Sequence, residues 1–276
     1  MPTLEYHLYR TKFIKPSQAD LFQPELSARE MLEAGLAERP SIELRQNNVW
    51  HVGNVEYFSD SGGGRFAIGR TTLTTVEKFD ETTGNFTELV DDSGPYTFVY
   101  FDSKLGLLGI GKKPKVAADV KSIARKVQKL LSSTELVKRN NIDVRVEFVR
   151  DPEGFLQKLF AAYAIKRFKA TFTGPNPVDA DELFQKPMSY YCQQLEAEQG
   201  SVTVAGESLN ENSVAAVAKS TAATANDATA VIQNSRGERP VSISFKGDAK
   251  KVIVEHDTEK EDVLRTIQNT YREVRQ

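Results

Sequence analysis

Very little in this chain could carry redox or metal chemistry. It has one cysteine, Cys192, in 276 residues. That excludes an internal disulfide and any multi-cysteine zinc site. There are three histidines, His7, His51 and His256. They fall in or at the end of separate expected strands, and no pair has metal-ligand spacing. Surface or half-buried strand histidines are the simpler reading, and neither a metal site nor a cofactor is expected. Cys192 lies on a helical pattern with Met188 and Leu195, which reads as a packed thiol rather than a nucleophile. A run of about 18 apolar residues, the length of a membrane span, is also missing. The opening Met-Pro-Thr-Leu-Glu-Tyr has neither a basic n-region nor an apolar h-region, so no signal peptide is expected. Together these absences fit a cytoplasmic protein with no membrane insertion.

What remains is ordinary for a globular chain, with 39% hydrophobic and 27% charged residues. The length allows two modest domains or one large one. The unusual property is the distribution of charge. Residues 104–170 hold sixteen Lys/Arg against six Asp/Glu, about +10, in a protein whose net charge is −2, which leaves −12 for the rest. Segregation of this kind is a common footprint of a surface that meets phosphates.

Hydrophobic periodicity supplies an element order. Thr3–Arg10 alternates Leu4, Tyr6 and Leu8 as a strand does. Ser27–Glu38 reads as a helix with Ser27 as N-cap and Glu30 three residues on, a capping box. From Ile42 to Gly111 the composition turns to Val, Ile, Thr, Phe and Tyr, punctuated by turns at Thr83-Gly84-Asn85 and Ser103–Gly106, and predicts a meandering antiparallel sheet. Val116–Leu131 predicts a helix with Val116, Val120, Ile123, Val127, Leu130 and Leu131 on one stripe. After a turn at Asn140-Asn141 the expected elements are a strand at 144–149, a helix at 152–164, a strand at 165–173, a helix at 179–198 and a strand at 201–205. A long Ala/Ser/Thr helix over 210–233 follows, then a hairpin of 241–246 and 251–256 around Gly247-Asp248-Ala249, and a last helix to Arg275 capped by Asp257. The fold class is therefore α+β. Residues 1–139 are expected to form an antiparallel sheet domain ending in a basic helix, and 140–276 a βαβαβαββα ferredoxin-like or related sandwich.

Two glycine-rich stretches imitate phosphate loops. Gly64–Thr71 has P-loop spacing, but Arg70 stands where lysine is required and a β-branched run follows instead of a helix. Gly106–Lys113 has the lysine, but Lys113 replaces the magnesium-binding Ser/Thr. Both read as strand and turn glycines, although the second loop could bring backbone N–H groups near a DNA phosphate. Glu255-His-Asp257-Thr-Glu259-Lys260 contains the residue types of a metal nuclease, yet Asp257 serves better as a helix cap, with Glu259 and Lys260 in the first turn. No catalytic constellation is found, and the chain reads as a non-enzymatic protein.

The basic residues themselves form two groups. Lys112, Lys113, Lys115, Lys121, Arg125, Lys126 and Lys129 lead into and follow the helix. Lys121/Arg125 and Arg125/Lys129 are i, i+4 like-charge pairs, each costing a few tenths of a kcal/mol on an isolated helix, a cost that an anionic partner would offset. Lys166, Arg167 and Lys169 are interleaved with Phe168 and Phe172 on a strand, with Lys166, Phe168, Ala170 and Phe172 on one face. They read either as a core strand with basic residues at its exposed end or as an extension of the same phosphate track. The absence of aromatic residues between Lys112 and Arg139 favours double-stranded nucleic acid over single strands and over a membrane surface. These ten residues are the expected DNA-binding set.

The order of elements resembles the RexA-type phage-exclusion proteins of lambdoid prophages. The resemblance rests on Tyr6-His-Leu-Tyr9-Arg10 in the opening strand and on Tyr96-Thr-Phe-Val-Tyr-Phe-Asp102 leading into Leu108-Gly-Ile. It continues through Val144-Arg-Val-Glu-Phe-Val149, Ala164-Ile-Lys-Arg-Phe-Lys-Ala-Thr-Phe172 and the polar connector Gly174-Pro-Asn-Pro-Val-Asp179. It is one of pattern along most of the chain. That family, with related phage-defence proteins such as the Kiwa DNA-binding component, implies a sequence-independent double-stranded DNA binder. It implies a homodimer acting in abortive infection or exclusion with a separate effector protein, and it brings no catalytic residues. The readings that compete with it are a metal-dependent nuclease or toxin of a defence system and a protein-interaction module whose basic face docks an acidic partner.

Overall fold

The alternating Leu4, Tyr6 and Leu8 do form a strand, and that strand, β1 (Thr3–Ile14), is the hub of the molecule. The structure is a computed structural model that describes residues 3–14, 26–45, 48–59, 62–173, 180–197, 199–245, 247 and 249–275, with the main chain alone at 45, 72–76 and 89–92. The fold is α+β, with a large antiparallel sheet, a four-stranded sheet and, among the described residues, seven helices.

The stretch read as a meander supplies β2 (Ser41–Arg45), β3 (Asn48–Phe58), β4 (Gly63–Asp80), β5 (Asn85–Ser93), β6 (Tyr96–Asp102) and β7 (Leu107–Gly111). All of them pair antiparallel. β7 then pairs with β1, Tyr6 opposite Gly111 and Arg10 opposite Leu107. The other edge of β1 is shared end to end by two strands from much later in the chain. β13 (Lys251–Glu255) pairs with Thr3–His7, and β8 (Asp143–Phe148) with Tyr9–Ile14. Leu8 joins them, its N–H donating to the Lys250 carbonyl at 2.9 Å and its carbonyl accepting from Val149 N–H at 2.9 Å. Main-chain pairing thus runs across the expected boundary at 139–140.

Both faces of this sheet are covered, which is why β1 is buried along nearly its whole length. Tyr9 and Phe13 belong to one apolar cluster, with Trp50, Phe66, Phe101 and the helices α1 (Ala28–Ala37) and α2 (Val120–Ser132). Tyr6 and Leu8 belong to a second cluster with α7 (Lys260–Arg275). That second core is shared with the smaller sheet, whose order is β10-β9-β11-β12: β10 (Gln199–Ala205), β9 (Ala164–Thr173), β11 (Ala228–Gln233) and β12 (Val241–Ser244). Phe168 and Ala170 of β9, Ala230 and Ile232 of β11, and Ala218 and Ala222 of α6 (Glu211–Ala223) all enter it. The short helices α3 (Glu135–Arg139) and α4 (Glu153–Phe160) flank β8, and α5 (Gln185–Gln194) packs on β9 and β10.

α1 forms as its capping box predicts: the Glu30 N–H donates to Ser27 Oγ at 3.2 Å and the Ser27 N–H to Glu30 Oε2 at 2.8 Å. Several expectations are corrected. The basic helix begins at Val120 and not at Val116, because Asp119 takes the N-cap, accepting from Ser122 N–H at 2.6 Å. Residues 112–119 form a turn in which Val116 is buried without being helical. The helix expected over 210–233 is a helix and a strand. α6 stops at Ala223, Ala225 takes a left-handed φ of 57°, and Ala228–Gln233 continues as a strand in which every second residue is buried. The expected hairpin of 241–256 does not form: β12 pairs with β11 and β13 with β1, in different sheets. Lys246 and Asp248 of that turn, the connector Gly174–Asp179, and Glu198 lie outside the described residues. α4 ends at Phe160, four residues before the expected end at Ala164, which already belongs to β9. The helix expected over 179–198 is the shorter α5, with the Asp181 carboxylate accepting from Phe184 N–H at 2.6 Å and Gln185 N–H at 3.1 Å. The last helix opens at Lys260, and Asp257 sits in the preceding turn instead of capping it.

Candidate nucleic-acid interface

α2 shows how a helix can be forced to display repelling charges. Val120, Ile123, Ala124, Val127, Leu130 and Leu131 are all buried against the large sheet. Each fully buried Val, Leu or Ile is worth about 1.5–3 kcal/mol, whereas an i, i+4 like-charge pair costs only about 0.2–0.5 kcal/mol. The apolar stripe therefore decides the helix's rotation, and the cations go where it leaves room. Lys121, Arg125 and Lys129 are exposed, one turn apart on the outer face. Lys126 is half-buried, its ammonium 5.6 Å from the centre of the Trp50 ring. Gln128 accepts from the Val146 N–H at 3.3 Å and ties the helix to β8. The N-terminal end is fixed by Asp119, whose carboxyl is held below its usual pKa first by the Ser122 backbone N–H, with Arg125 and Lys121 adding to it.

The other expected contact residues are placed differently. Lys112 is exposed and pairs with Glu5 at 3.4 Å. Lys113 lies with its ammonium 4.8 Å from the Tyr96 ring centre, and Lys115 is exposed in the turn before α2. On β9, Phe168, Ala170 and Phe172 point into the core as expected. Lys166 does not share that face as its spacing predicts: a bulge skips it in the pairing with β11, Ile165 takes the core position opposite Ile232, and the half-buried Lys166 donates to the Glu207 carbonyl at 2.7 Å. Arg167 and Lys169 are exposed on the opposite face, Lys169 lying between Thr203 and Thr229 of the neighbouring strands. The two basic groups stand on different layers: α2 packs on β8, β7, β3 and β2, and β9 on α6 and α5.

The glycines of the first phosphate-loop mimic have a packing explanation. Gly64 lies within β4, and a Cβ there would fall 2.0 Å from the Glu56 carbonyl oxygen, so the strand tolerates only glycine. Among the described residues no three His, Cys, Asp or Glu side chains are grouped to hold a metal ion, and no helix is long and apolar enough to cross a membrane.

No protein-family model matches this chain, and no curated protein matches it in sequence.

A cleft of about 710 Å³ brings together two motifs that lie far apart in the sequence. One wall carries Tyr96 and Phe98 of β6, the floor is Gly111, one rim is Lys112-Lys113, and the other rim is the turn His256–Glu259 leading into α7. Gly111 is glycine for a reason: a Cβ would lie 2.7 Å from Thr97 Oγ1 and 3.0 Å from the Phe98 carbonyl oxygen. Thr97 donates from that hydroxyl to the Gly111 carbonyl at 3.0 Å. Arg65 stacks 4.5 Å above the Phe98 ring and donates to Glu56 at 3.0 Å. Burial works against its charge, but the hydroxyl of Tyr100 and the carboxylate of Glu56 outweigh it and raise its pKa. Burial would likewise raise Glu5, yet the hydrogen bond from His7 with the charges of Lys112 and Lys251 holds it below the usual carboxylate range. The sequence signals were the Gly-Lys-Lys run and the Glu-His-Asp-Thr-Glu-Lys run. Their neighbourhood comes from β1, which pairs with β7 on one edge and β13 on the other.

Proposed function

We propose that the protein binds double-stranded nucleic acid through its phosphate backbone, without sequence preference, along the outer face of α2. The observation that carries this reading is the row Lys121, Arg125 and Lys129, exposed one turn apart on a helix whose opposite face is locked into the core. Lys115 extends the row toward Lys112 and Lys113, while Arg167 and Lys169 form a second basic site on another layer. Phosphate contacts position a protein on a duplex but carry no base information, and Gln128, the α2 side chain suited to reading adenine, is instead tied to the Val146 N–H. In keeping with the RexA-type resemblance of the sequence, we place this activity in anti-phage defence, as a homodimer working with a separate effector protein.

Duplex binding measured over a series of salt concentrations tests the core of the proposal. Each neutralised phosphate contributes about 0.9 to the slope of log affinity against log salt. Engagement of the three α2 cations therefore predicts a slope of about −2.7 or steeper, equal for duplexes of unrelated sequence. Absence of binding at low salt, or an affinity that does not fall with salt, refutes it. Pull-downs with and without nuclease treatment separate nucleic acid from an acidic protein partner.

A further inference from the structure

We infer that the cleft between β6, β7 and the turn before α7 binds a nucleoside phosphate, with the base against Tyr96 and the phosphate at Lys112 and Lys113. Three independent features point to that ligand. The first is size: about 710 Å³ lies within the range of small-molecule and cofactor sites. The second is the aromatic wall. Tyr96 is 42% exposed although it belongs to a strand whose later residues are buried. Its ring meets Phe98 edge to face at 5.5 Å. An exposed ring braced by a second ring is a stacking platform for a base. Lys113 now rests over that ring. Its flexible stem lets the ammonium move to a phosphate when a base takes its place.

The third feature is the division of charge across the cleft. Lys113 and Lys112, the latter paired with Glu5, stand on one rim, and the exposed carboxylates of Asp257 and Glu259 on the other, where Lys260 is itself paired with Glu56. A nucleotide has the matching polarity, with an anionic phosphate at one end and, in adenine, cytosine or guanine, an amino group that donates to a carboxylate at the other. The floor at Gly111 has no room for a side chain, so the bottom of the cleft is fixed by backbone. The inference does not depend on the row Lys121, Arg125 and Lys129: the cleft is lined by residues of β1, β4, β6, β7 and 256–263 and shares only Lys112 and Lys113 with the proposed duplex track.

The same chemistry is offered by a free nucleotide and by the phosphorylated end of a strand, and calorimetry on the full chain separates them. The probes are adenosine 5′-monophosphate, thymidine 5′-monophosphate, adenosine, inorganic phosphate and a 5′-phosphorylated tetradeoxyadenylate. Saturable binding of adenosine monophosphate identifies a free-nucleotide site; binding of the oligonucleotide alone identifies a strand-end site. Either result supports the inference. Tyr96→Ala should weaken binding roughly 5- to 150-fold, and Tyr96→Phe should restore it. Lys113→Gln should weaken adenosine monophosphate and leave adenosine unchanged. The thymidine nucleotide, which lacks the amino group, should bind less tightly. The double variant Lys121→Gln/Arg125→Gln should lose duplex affinity and keep nucleotide affinity, so the two readings fail separately. The inference is overturned if neither nucleotide nor oligonucleotide binds. It is also overturned if inorganic phosphate binds as tightly as the nucleotide, or if folded Tyr96→Ala and Lys113→Gln both bind as the parent does.

Discussion

Neutralising two cations on α2 should make the protein more stable and a worse ligand for DNA, two effects of opposite sign from one change. In the free protein Arg125 lies one turn from both Lys121 and Lys129. Lys121→Gln/Arg125→Gln therefore removes two like-charge pairs of about 0.2–0.5 kcal/mol each. Lys121 also sits in the first turn, where the helix dipole disfavours a cation by about 0.3 kcal/mol or more. Against this stands the lost attraction to Asp119, an exposed interaction at the low end of about 0–1 kcal/mol. The balance is a gain of about 0.5 kcal/mol at low ionic strength, a rise in Tm of about 1–2 °C for a chain of this size. Because the effect is between solvent-exposed charges, it should vanish near 1 M salt, where the screening length is about 3 Å. Over the same salt series the slope of duplex binding should become shallower by about 1.8, two phosphates' worth. Thermal melts of parent and variant at several salt concentrations, with binding on the same samples, provide the assay. A variant that is less stable than the parent, or a Tm shift that ignores salt, would mean that these side chains make structural contacts and that the reasoning from an open charged face is wrong.

Ile123→Ala, on the other face of the same helix, should cost about 2–5 kcal/mol by removing a buried side chain, read as a lower urea midpoint with an unchanged m-value. Glu5 supplies a pH dependence: its folded pKa lies below its unfolded value, so its contribution is fully present above the unfolded pKa and is lost as pH falls through the folded one. Glu5→Gln should thus be least stable relative to the parent near neutral pH and converge on it in acid, whereas a pH-independent difference would assign Glu5 a packing role. Cys192 is buried and burial raises its thiol pKa, so a thiol reagent should modify it slowly in the native protein and rapidly in denaturant; equal rates would refute its burial.

Local chemistry was legible in the sequence where it alone decides the structure. The capping box of α1, the turns after β4 and β6 and the apolar stripe of α2 all formed as their residues indicate. The errors arose where a local pattern fits two outcomes. Val116 satisfies the helical spacing of α2, but Asp119, a better N-cap, starts the helix after it. The Ala- and Thr-rich run of 210–233 carries almost no charge to mark its two faces, and the change from helical to strand period falls at Thr224–Asp227, where no proline or glycine announces it. The stretches 241–246 and 251–256 flank a glycine as a hairpin would, yet each gains more from a partner elsewhere, Val241 opposite Ile232 and Val252 opposite Tyr6. The α2 cations were visible because they recur at one-turn spacing within a single short stretch of chain. The cleft was not, because its walls come from the first strand, the middle of the large sheet and the turn before the last helix, and only pairing register brings them together.

The shared edge of β1 has a consequence for how the chain is made. β1 emerges first, but half of that edge is completed by β13, about 240 residues later, and Arg10 waits for the Tyr271 hydroxyl that accepts from it at 2.7 Å. At about 5–20 residues per second a ribosome needs roughly 12–50 s to supply the missing strand. During that interval an apolar strand with open backbone donors and acceptors is exposed to other nascent chains. The β1 edge therefore cannot be completed before translation has passed β13, and the time to synthesise the chain sets a lower bound on the time to the finished sheet.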